Sequence, residues 1–236
     1  MPAQVRVFVD FDGTVSLEDT TDVILEQFAD PAWRQVESEW LSGKIGSREC
    51  MARQIDLVRA SPEALDALVR EVPLDPHFGD FVALCRREDV AITIVSDGLD
   101  RAISAMLARA QIKLPILANR LQWQGGDRWQ LEFPHRHADC RTAAGNCKCA
   151  ALPEAPDVVR ILVGDGRSDF CAAQTADLVF AKGALTEHCH ANGLTYCMFE
   201  GFAGATHLLA EWIGALKRRD RVPRTAERSI HAPSTA

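Results

Sequence analysis

The sequence predicts an α/β protein, in which a doubly wound parallel sheet carries a helical cap insert and a small β-hairpin insert. Three observations support this fold class. Short β-branched segments alternate with segments of helical periodicity, a pattern that favours parallel strands joined by helices. Four helical segments follow the first strand without a strand between them. Two short alternating segments flank Gly125-Gly126-Asp127, which is typical of a hairpin turn.

The predicted elements follow from local patterns in chain order. Residues 5–9 form a buried strand that ends at Asp10, and helical spacing of apolar residues then predicts three helices in residues 17–58. Ser61 and Pro62 open a fourth helix as its N-cap and first residue. Further strands are predicted at 90–95, 116–118, 161–163, 178–181 and 195–197, with helices near 99–110, 168–176 and 204–218.

These elements predict a division of the chain into a core, two inserts and a tail. The core comprises residues 1–14 and 76–216, and the helical cap comprises residues 15–75. Residues 119–146 form the hairpin and a loop rich in Cys and His. Residues 217–236 have little apolar periodicity, so we expect a disordered tail.

Composition limits the functional classes. The chain has 236 residues, of which 47% are hydrophobic and 25% charged, as in an ordinary globular protein. The net charge is −7, and because residues 217–236 carry six basic and two acidic side chains, residues 1–216 carry −11. This acidity argues against a nucleic-acid partner. Without a long apolar run or a signal peptide, we expect no membrane partner and a cytoplasmic location. The oligomeric state is not predicted.

Polar residues cluster at the ends of the predicted strands, where a parallel sheet forms its ligand crevice. Four carboxylates in one crevice repel one another unless a cation lies between them, and their oxygen ligands indicate Mg²⁺. Phosphate-binding groups are the Ser96 hydroxyl, the backbone N–H groups that follow it, and the Lys148 ammonium, which follows a loop. The four carboxylates belong to Asp10, Asp12, Asp165 and Asp169.

The order of these residues resembles the haloacid-dehalogenase superfamily of phosphatases over roughly residues 5–200. The first motif, Asp-x-Asp-x-Thr, is matched by Asp10, Asp12 and Thr14. The second, third and fourth motifs are matched by Ser96, by Lys148, and by Asp165 with Asp169.

The resemblance implies a Mg²⁺-dependent enzyme that hydrolyses a small phosphomonoester. It implies that Asp10 attacks phosphorus to form an aspartyl-phosphate. It further implies that Mg²⁺ is held by the Asp10 carboxylate, the Asp12 backbone carbonyl and Asp165, with Asp169 in supporting contact. The expected phosphate-binding residues are Thr14, Ser96, Asp97, Gly98 and Lys148.

Asp12 also has a role that chemistry predicts directly. An ester oxygen leaves poorly as an alkoxide, so a second carboxyl near the nucleophile is needed to donate a proton and later to accept one from water. Asp12 therefore favours phosphate chemistry over dehalogenation.

A narrower resemblance concerns the substrate. The helical insert, Phe133-Pro134-His135 and Cys147-Lys148 look like the methionine-salvage group that acts on 2-hydroxy-3-keto-5-methylthiopentenyl-1-phosphate. Phosphoserine phosphatases are similar more loosely, and in that wider group an acid and a cap arginine face the substrate. Asp19 and Arg53 match those positions, with Arg48 as an alternative to Arg53.

A receiver-like phospho-acceptor is the non-catalytic alternative, although receivers are shorter and have no helical insert.

The loop after the hairpin contains imidazoles and thiols that suit a structural Zn²⁺. Their spacing is irregular, and the alternative is a compact loop with free thiols. The candidate ligands are His135, His137, Cys140, Cys147 and Cys149.

Overall fold

The computed structural model describes residues 4–152, 154, 155 and 157–219, and it confirms the predicted α/β class. Seven strands form one sheet: β1 (Gln4–Val9), β2 (Ala91–Leu99), β3 (Ile116–Gly125), β4 (Arg128–Glu132), β5 (Val158–Gly164), β6 (Leu178–Ala181) and β7 (Tyr196–Met198). Their order is β4-β3-β2-β1-β5-β6-β7. β4 runs antiparallel to β3, and every other neighbouring pair is parallel.

Helices flank the sheet and form the insert after β1. They are α1 (Thr20–Phe28), α2 (Trp33–Leu41), α3 (Ser47–Ile55), α4 (Pro62–Glu71), α5 (Phe78–Arg87), α6 (Asp100–Arg109), α7 (Lys148–Ala151), α8 (Phe170–Ala173), α9 (Gly183–Ala191) and α10 (Phe202–Arg219). The helices α5 and α7 were not predicted. No described helix is long and apolar enough to cross a membrane.

The helical insert contains α1 to α4, one for each helix that the sequence predicts. Two of them have side-chain caps: Asp19 accepts hydrogen bonds from the first turn of α1, and Ser61 accepts one in α4 from the Ala64 N–H at 3.2 Å. Ser16 and Leu74 form an antiparallel bridge at the base of the insert. The chain therefore enters and leaves the insert side by side, and the cap bounds of 15–75 stay a prediction.

The hairpin differs from its prediction, because the strand expected at 116–118 and the first hairpin strand are one continuous element, β3. A register irregularity in β2 between Val95 and Leu99 lets the pairing resume at Asn119, so the strand does not break there. The hairpin also contacts the cap, since the indole N–H of Trp129 donates to the Ala60 carbonyl at 2.9 Å.

The C-terminal helix continues beyond the predicted start of the tail. α10 extends to Arg219, and Lys217 Nζ lies 2.6 Å from the Glu88 carboxylate. Residues 217–219 of the expected disordered tail are therefore helical. Residues 220–236 lie outside the described residues.

Candidate active site

A cavity of about 520 Å³ lies between the cap and the carboxyl ends of the central strands. The core contributes Asp10 after β1, Ser96 in β2 and Asp165 after β5. The cap contributes Trp40 and Met51 to the opposite wall. The predicted clusters at three strand ends thus meet in one cavity, because these strands are neighbours in a parallel sheet.

Asp10 is held in place by backbone and side-chain contacts. Its N–H donates to the Val163 carbonyl at 2.8 Å, which continues the pairing of β1 with β5. Its Oδ1 accepts a hydrogen bond from the Phe11 N–H at 2.7 Å. Burial and then the nearby Asp169 carboxylate raise the pKa of Asp10 well above its ordinary value, against the opposing effect of Lys148. The site therefore favours a cation beside this carboxylate.

Lys148 provides that positive charge from the start of α7. The side chain is buried, and its Nζ lies 2.7 Å from Asp10 Oδ1 and 2.8 Å from Asp169 Oδ1. It also donates to Ser168 Oγ at 2.8 Å. Burial lowers the pKa of Lys148, but the two carboxylates outweigh burial and raise it. The lysine is therefore a fixed charge rather than a proton donor.

Asp12 is oriented by residues from the cap and from β2. Its Oδ1 accepts hydrogen bonds from both the N–H and the hydroxyl of Thr20, with the N–H at 2.9 Å. Its Oδ2 accepts one from Ser96 Oγ at 3.2 Å, and that hydroxyl accepts one from the Gly98 N–H at 2.8 Å. Burial raises the pKa of Asp12, while these hydrogen bonds lower it less. The proton is retained to a higher pH than in an ordinary aspartate.

Three carboxylates form a group that could hold a metal ion. Oxygens of Asp10, Asp165 and Asp169 lie within 4.8 Å of one another. Thr14 Oγ1 donates to Asp165 Oδ1 at 2.7 Å, and the Asp165 N–H donates to Asp169 Oδ2 at 3.2 Å. A Cβ at Gly13 would lie 2.7 Å from Asp165 Oδ2, so glycine leaves room for this carboxylate. An all-oxygen donor set fits Mg²⁺, and the expected contact through the Asp12 backbone carbonyl stays a prediction.

The side chain of Asp97 connects the core to the cap. Its carboxylate accepts hydrogen bonds from the Ser47 hydroxyl, the Asn119 side chain at 3.0 Å and the Asn146 N–H at 2.8 Å. A carboxylate occupied in this way is not available to a phosphate, whereas the expected contact through the Asp97 backbone N–H stays a prediction. Of the two residues after Ser96, the N–H of Gly98 already donates to the serine hydroxyl.

The expected substrate-binding pair is separated. Asp19 lines the cavity, and burial with the neighbouring Asp12 raises its pKa to about 7. Arg53 is not among the lining residues, because its guanidinium pairs with Glu39 at 2.7 Å and with Glu49 at 3.5 Å. Arg48 does not line the cavity either. The cap cation expected from the phosphoserine-type resemblance is therefore absent from the described cavity wall.

The expected zinc ligands do not come together. Within the described ranges, no three of these residues bring their ligand atoms within 4.8 Å of one another, as the carboxylate group does. His135 and His137 are exposed in the loop, whereas the sulfurs of Cys147 and Cys149 face each other at 3.2 Å. This arrangement does not support a zinc site. It agrees with the alternative interpretation, a loop with free thiols.

Two residues of the site were missed by sequence reasoning. Thr20, which orients Asp12, is the first residue of α1, and a polar residue at a helix start carries no distinct signal. Arg167 lines the cavity, with its guanidinium carbon 5.5 Å from the Trp40 ring centroid. It lies between Asp165 and Asp169, which match the fourth motif, but the sequence does not show that its side chain faces the cavity.

The comparisons with known proteins agree with this geometry. Residues 7–174 match the family model for haloacid dehalogenase-like hydrolases. A 2-hydroxy-3-keto-5-methylthiopentenyl-1-phosphate phosphatase of Geobacillus kaustophilus is 30% identical, covering 86% of this chain and 94% of that protein. The Brevibacillus brevis protein of the same name is 28% identical, with 89% and 97% covered.

A solved structure supports the fold. The phospho-aspartyl intermediate analogue of a phosphoserine phosphatase has a TM-score of 0.63 at 18% identity, covering 85% of this chain and 95% of that one. At that identity the likeness concerns the fold alone. The family match covers most of the chain and includes the residues around both acidic motifs. The chain therefore belongs to the haloacid dehalogenase-like hydrolase family and is a phosphoric monoester hydrolase.

Proposed function

We propose that this enzyme hydrolyses 2-hydroxy-3-keto-5-methylthiopentenyl-1-phosphate through an aspartyl-phosphate on Asp10. The observation that carries the reaction is the convergence of a buried Asp10, a buried Lys148 2.7 Å from it, and Asp12 hydrogen-bonded to Ser96 in one cavity. A nucleophile, a charge for the phosphoryl oxygens and a proton donor are the parts that this hydrolysis needs.

Asp10 acts as the nucleophile in this proposal. Its carboxylate attacks phosphorus, the bond from phosphorus to the ester oxygen breaks, and an acyl phosphate forms. Lys148 and the Ser96 hydroxyl hold the phosphoryl oxygens in line for attack. When bound by Asp10, Asp165 and Asp169, Mg²⁺ neutralises charge on the carboxylates and on the phosphoryl group.

Asp12 acts as the acid and then as the base. Its proton goes to the departing ester oxygen, and the resulting carboxylate later takes a proton from the water that attacks the acyl phosphate. Its raised pKa suits the first step, because a larger fraction of the carboxyl is protonated near neutral pH. The hydrogen bonds from Thr20 fix the direction of this carboxyl towards the cavity.

The substrate assignment is supported by the cap and by the relatives. Trp40, Cys50 and Met51 give the cavity wall apolar and sulfur-containing surface, which suits a methylthio tail. Arg53 is occupied by Glu39, so the carboxylate of phosphoserine would lack a cap cation. Relatives that carry the methylthiopentenyl phosphatase name match over most of both chains.

The test is turnover of a panel of phosphomonoesters that includes the methylthiopentenyl phosphate and phosphoserine. We expect the first to be preferred and phosphoserine to be poor. A preference for phosphoserine of tenfold or more in kcat/KM, or about 1.4 kcal/mol, would replace this assignment with the phosphoserine-type reading. Met51→Glu should raise KM for the methylthio substrate, whereas Met198→Glu, a matched change at a residue that is 68% exposed, should not.

Asp10→Asn tests the mechanism independently of the substrate. This variant should form no phosphoenzyme with any member of the panel, because an amide is not a nucleophile towards phosphorus. Normal turnover by Asp10→Asn would refute the mechanism even if the substrate preference were as expected.

A further inference from the structure

Three thiols lie in contact beside the residues that hold the nucleophile. Cys171 donates a hydrogen bond to Cys149 Sγ at 3.1 Å, and Cys147 Sγ lies 3.2 Å from Cys149 Sγ on the other side. Cys149 and Cys171 are half-buried, and Cys147 is buried. A small oxidant can therefore reach the Cys149–Cys171 pair.

The placement of this pair connects it to the active site. Cys149 directly follows Lys148 in α7, and Cys171 lies two residues after Asp169 in α8. Lys148 Nζ and Asp169 Oδ1 are themselves 2.8 Å apart. The two thiols thus flank a buried ion pair of the site.

We propose that Cys149 and Cys171 form a redox-active site, in which a hydroperoxide closes a reversible disulfide that lowers phosphatase activity. The expected loss of activity rests on the proposed function of Lys148, whereas the disulfide itself does not. Cys149–Cys171 is favoured over Cys147–Cys149, because a disulfide between residues two apart in the chain, one just before α7 and one within it, closes a small, strained ring.

The chemistry balances with the peroxide as the oxidant. The thiolate of one cysteine attacks a peroxide oxygen, so that an S–O bond forms, the O–O bond breaks, and the other oxygen takes a proton and leaves as water or an alcohol. The second sulfur then attacks the sulfenic sulfur, the S–S bond forms, and water leaves with the thiol proton. Two thiols lose two electrons, and the peroxide gains them.

The effect on activity follows from the distances. A disulfide has an S–S length of about 2.05 Å, so a pair now 3.1 Å apart must close by roughly 1 Å. The contacts of Lys148 with Asp10 and Asp169 are only 2.7 and 2.8 Å long, and α7 has four residues with little freedom to absorb the shift. Because misplacement by about 1 Å can cost up to 10²-fold in rate, we expect oxidation to lower kcat at least about fivefold.

The crosslink can be identified without ambiguity, because trypsin places the neighbouring cysteines on different peptides. Cys149 falls in 149–160, Cys171 in 168–182, Cys147 in 142–148 and Cys140 in 137–141. The full chain would be treated with hydrogen peroxide, alkylated, digested without reductant and analysed by mass spectrometry. We expect a linked pair of 149–160 with 168–182, and its loss together with recovery of kcat after dithiothreitol.

Variants separate the crosslink from general oxidation. Cys171→Ser, with Cys171→Ala as a second variant, should lack the linked pair and keep its kcat in peroxide. Cys197→Ser, a half-buried thiol on β7, should behave as the unmodified protein. Absence of the pair, or a link of Cys149 to Cys147 instead, would overturn the proposal. A linked pair with unchanged kcat would refute its regulatory part, whereas a linked pair in a protein that turns over no phosphomonoester would refute only the proposed function.

Discussion

Replacement of the buried Lys148 by methionine tests whether the site depends on this charge. The lysine forms ion pairs with Asp10 at 2.7 Å and with Asp169 at 2.8 Å, and all three side chains are nearly inaccessible to solvent. Lys148→Met keeps most of the side-chain volume but leaves two buried carboxylates without their cation. Removal of one partner from a buried ion pair typically costs about 3–5 kcal/mol.

The expected loss is measurable by thermal unfolding in metal-free buffer. For a protein of this size, 1 kcal/mol corresponds to roughly 2–4 °C, so Lys148→Met should lower Tm by roughly 6–20 °C. Lys113→Met is a matched control at an exposed position and should change stability by less than about 0.5 kcal/mol.

The loss of stability in Lys148→Met should depend on pH, and its direction follows from the pKa of Asp10. Burial and Asp169 raise the pKa of Asp10 in the folded protein, so the folded state binds this proton more tightly than the unfolded state does. Such a carboxyl stabilises the fold most below its unfolded pKa, and that contribution is lost as pH rises through the folded pKa. Without Lys148 the pKa of Asp10 rises further, so the deficit in Tm should be larger at pH 8 than at pH 5. Equal melting of Lys148→Met and Lys113→Met at both pH values would refute this reasoning.

Three further predictions concern single side chains. Asp12→Asn should lower kcat by roughly 10²–10⁴ and remove the fall in activity at high pH that follows from its raised pKa, as a pH profile of kcat would show. Gly98→Ala should abolish turnover with the fold retained, because its Cβ would collide with Asp12 Oδ2, whereas Gly79→Ala meets nothing within 4 Å and should be active. Trp129→Phe should cost about 1–3 kcal/mol in denaturant unfolding by leaving a buried cap carbonyl unpaired, whereas Trp123→Phe, at an exposed residue, should cost little.

The fold and the acidic centre were predictable because their signals are local. Asp10 and Asp165 each follow a short buried strand, and parallel pairing with a common direction brings such strand ends together without further information. The same rule predicted the position of Ser96 beside them. These residues were found because backbone topology alone determines where they lie.

The orientations of Arg53 and Asp97 could not be predicted, because the sequence pattern does not show which way a side chain points. Arg53 has a sequence position that matches a substrate arginine, but Glu39 on the neighbouring helix α2 pairs with it outside the cavity. Asp97 follows Ser96 immediately, yet its carboxylate points to the Ser47 hydroxyl on the cap. In both cases the partner is distant in sequence, so only the packing of the cap determines which way the side chain points.

In the proposed mechanism, the cap takes part in the chemistry as well as in the choice of substrate. The proton donor Asp12 belongs to the core, but the group that fixes its Oδ1 is Thr20, the first residue of cap helix α1. The second-motif loop is likewise connected to the cap, through Asp97 and Ser47 on α3. Both contacts join the core to the cap, so in the proposed mechanism we expect the acid to be aligned when the cap covers the cavity. Proton transfer would then be confined to the water-excluded state.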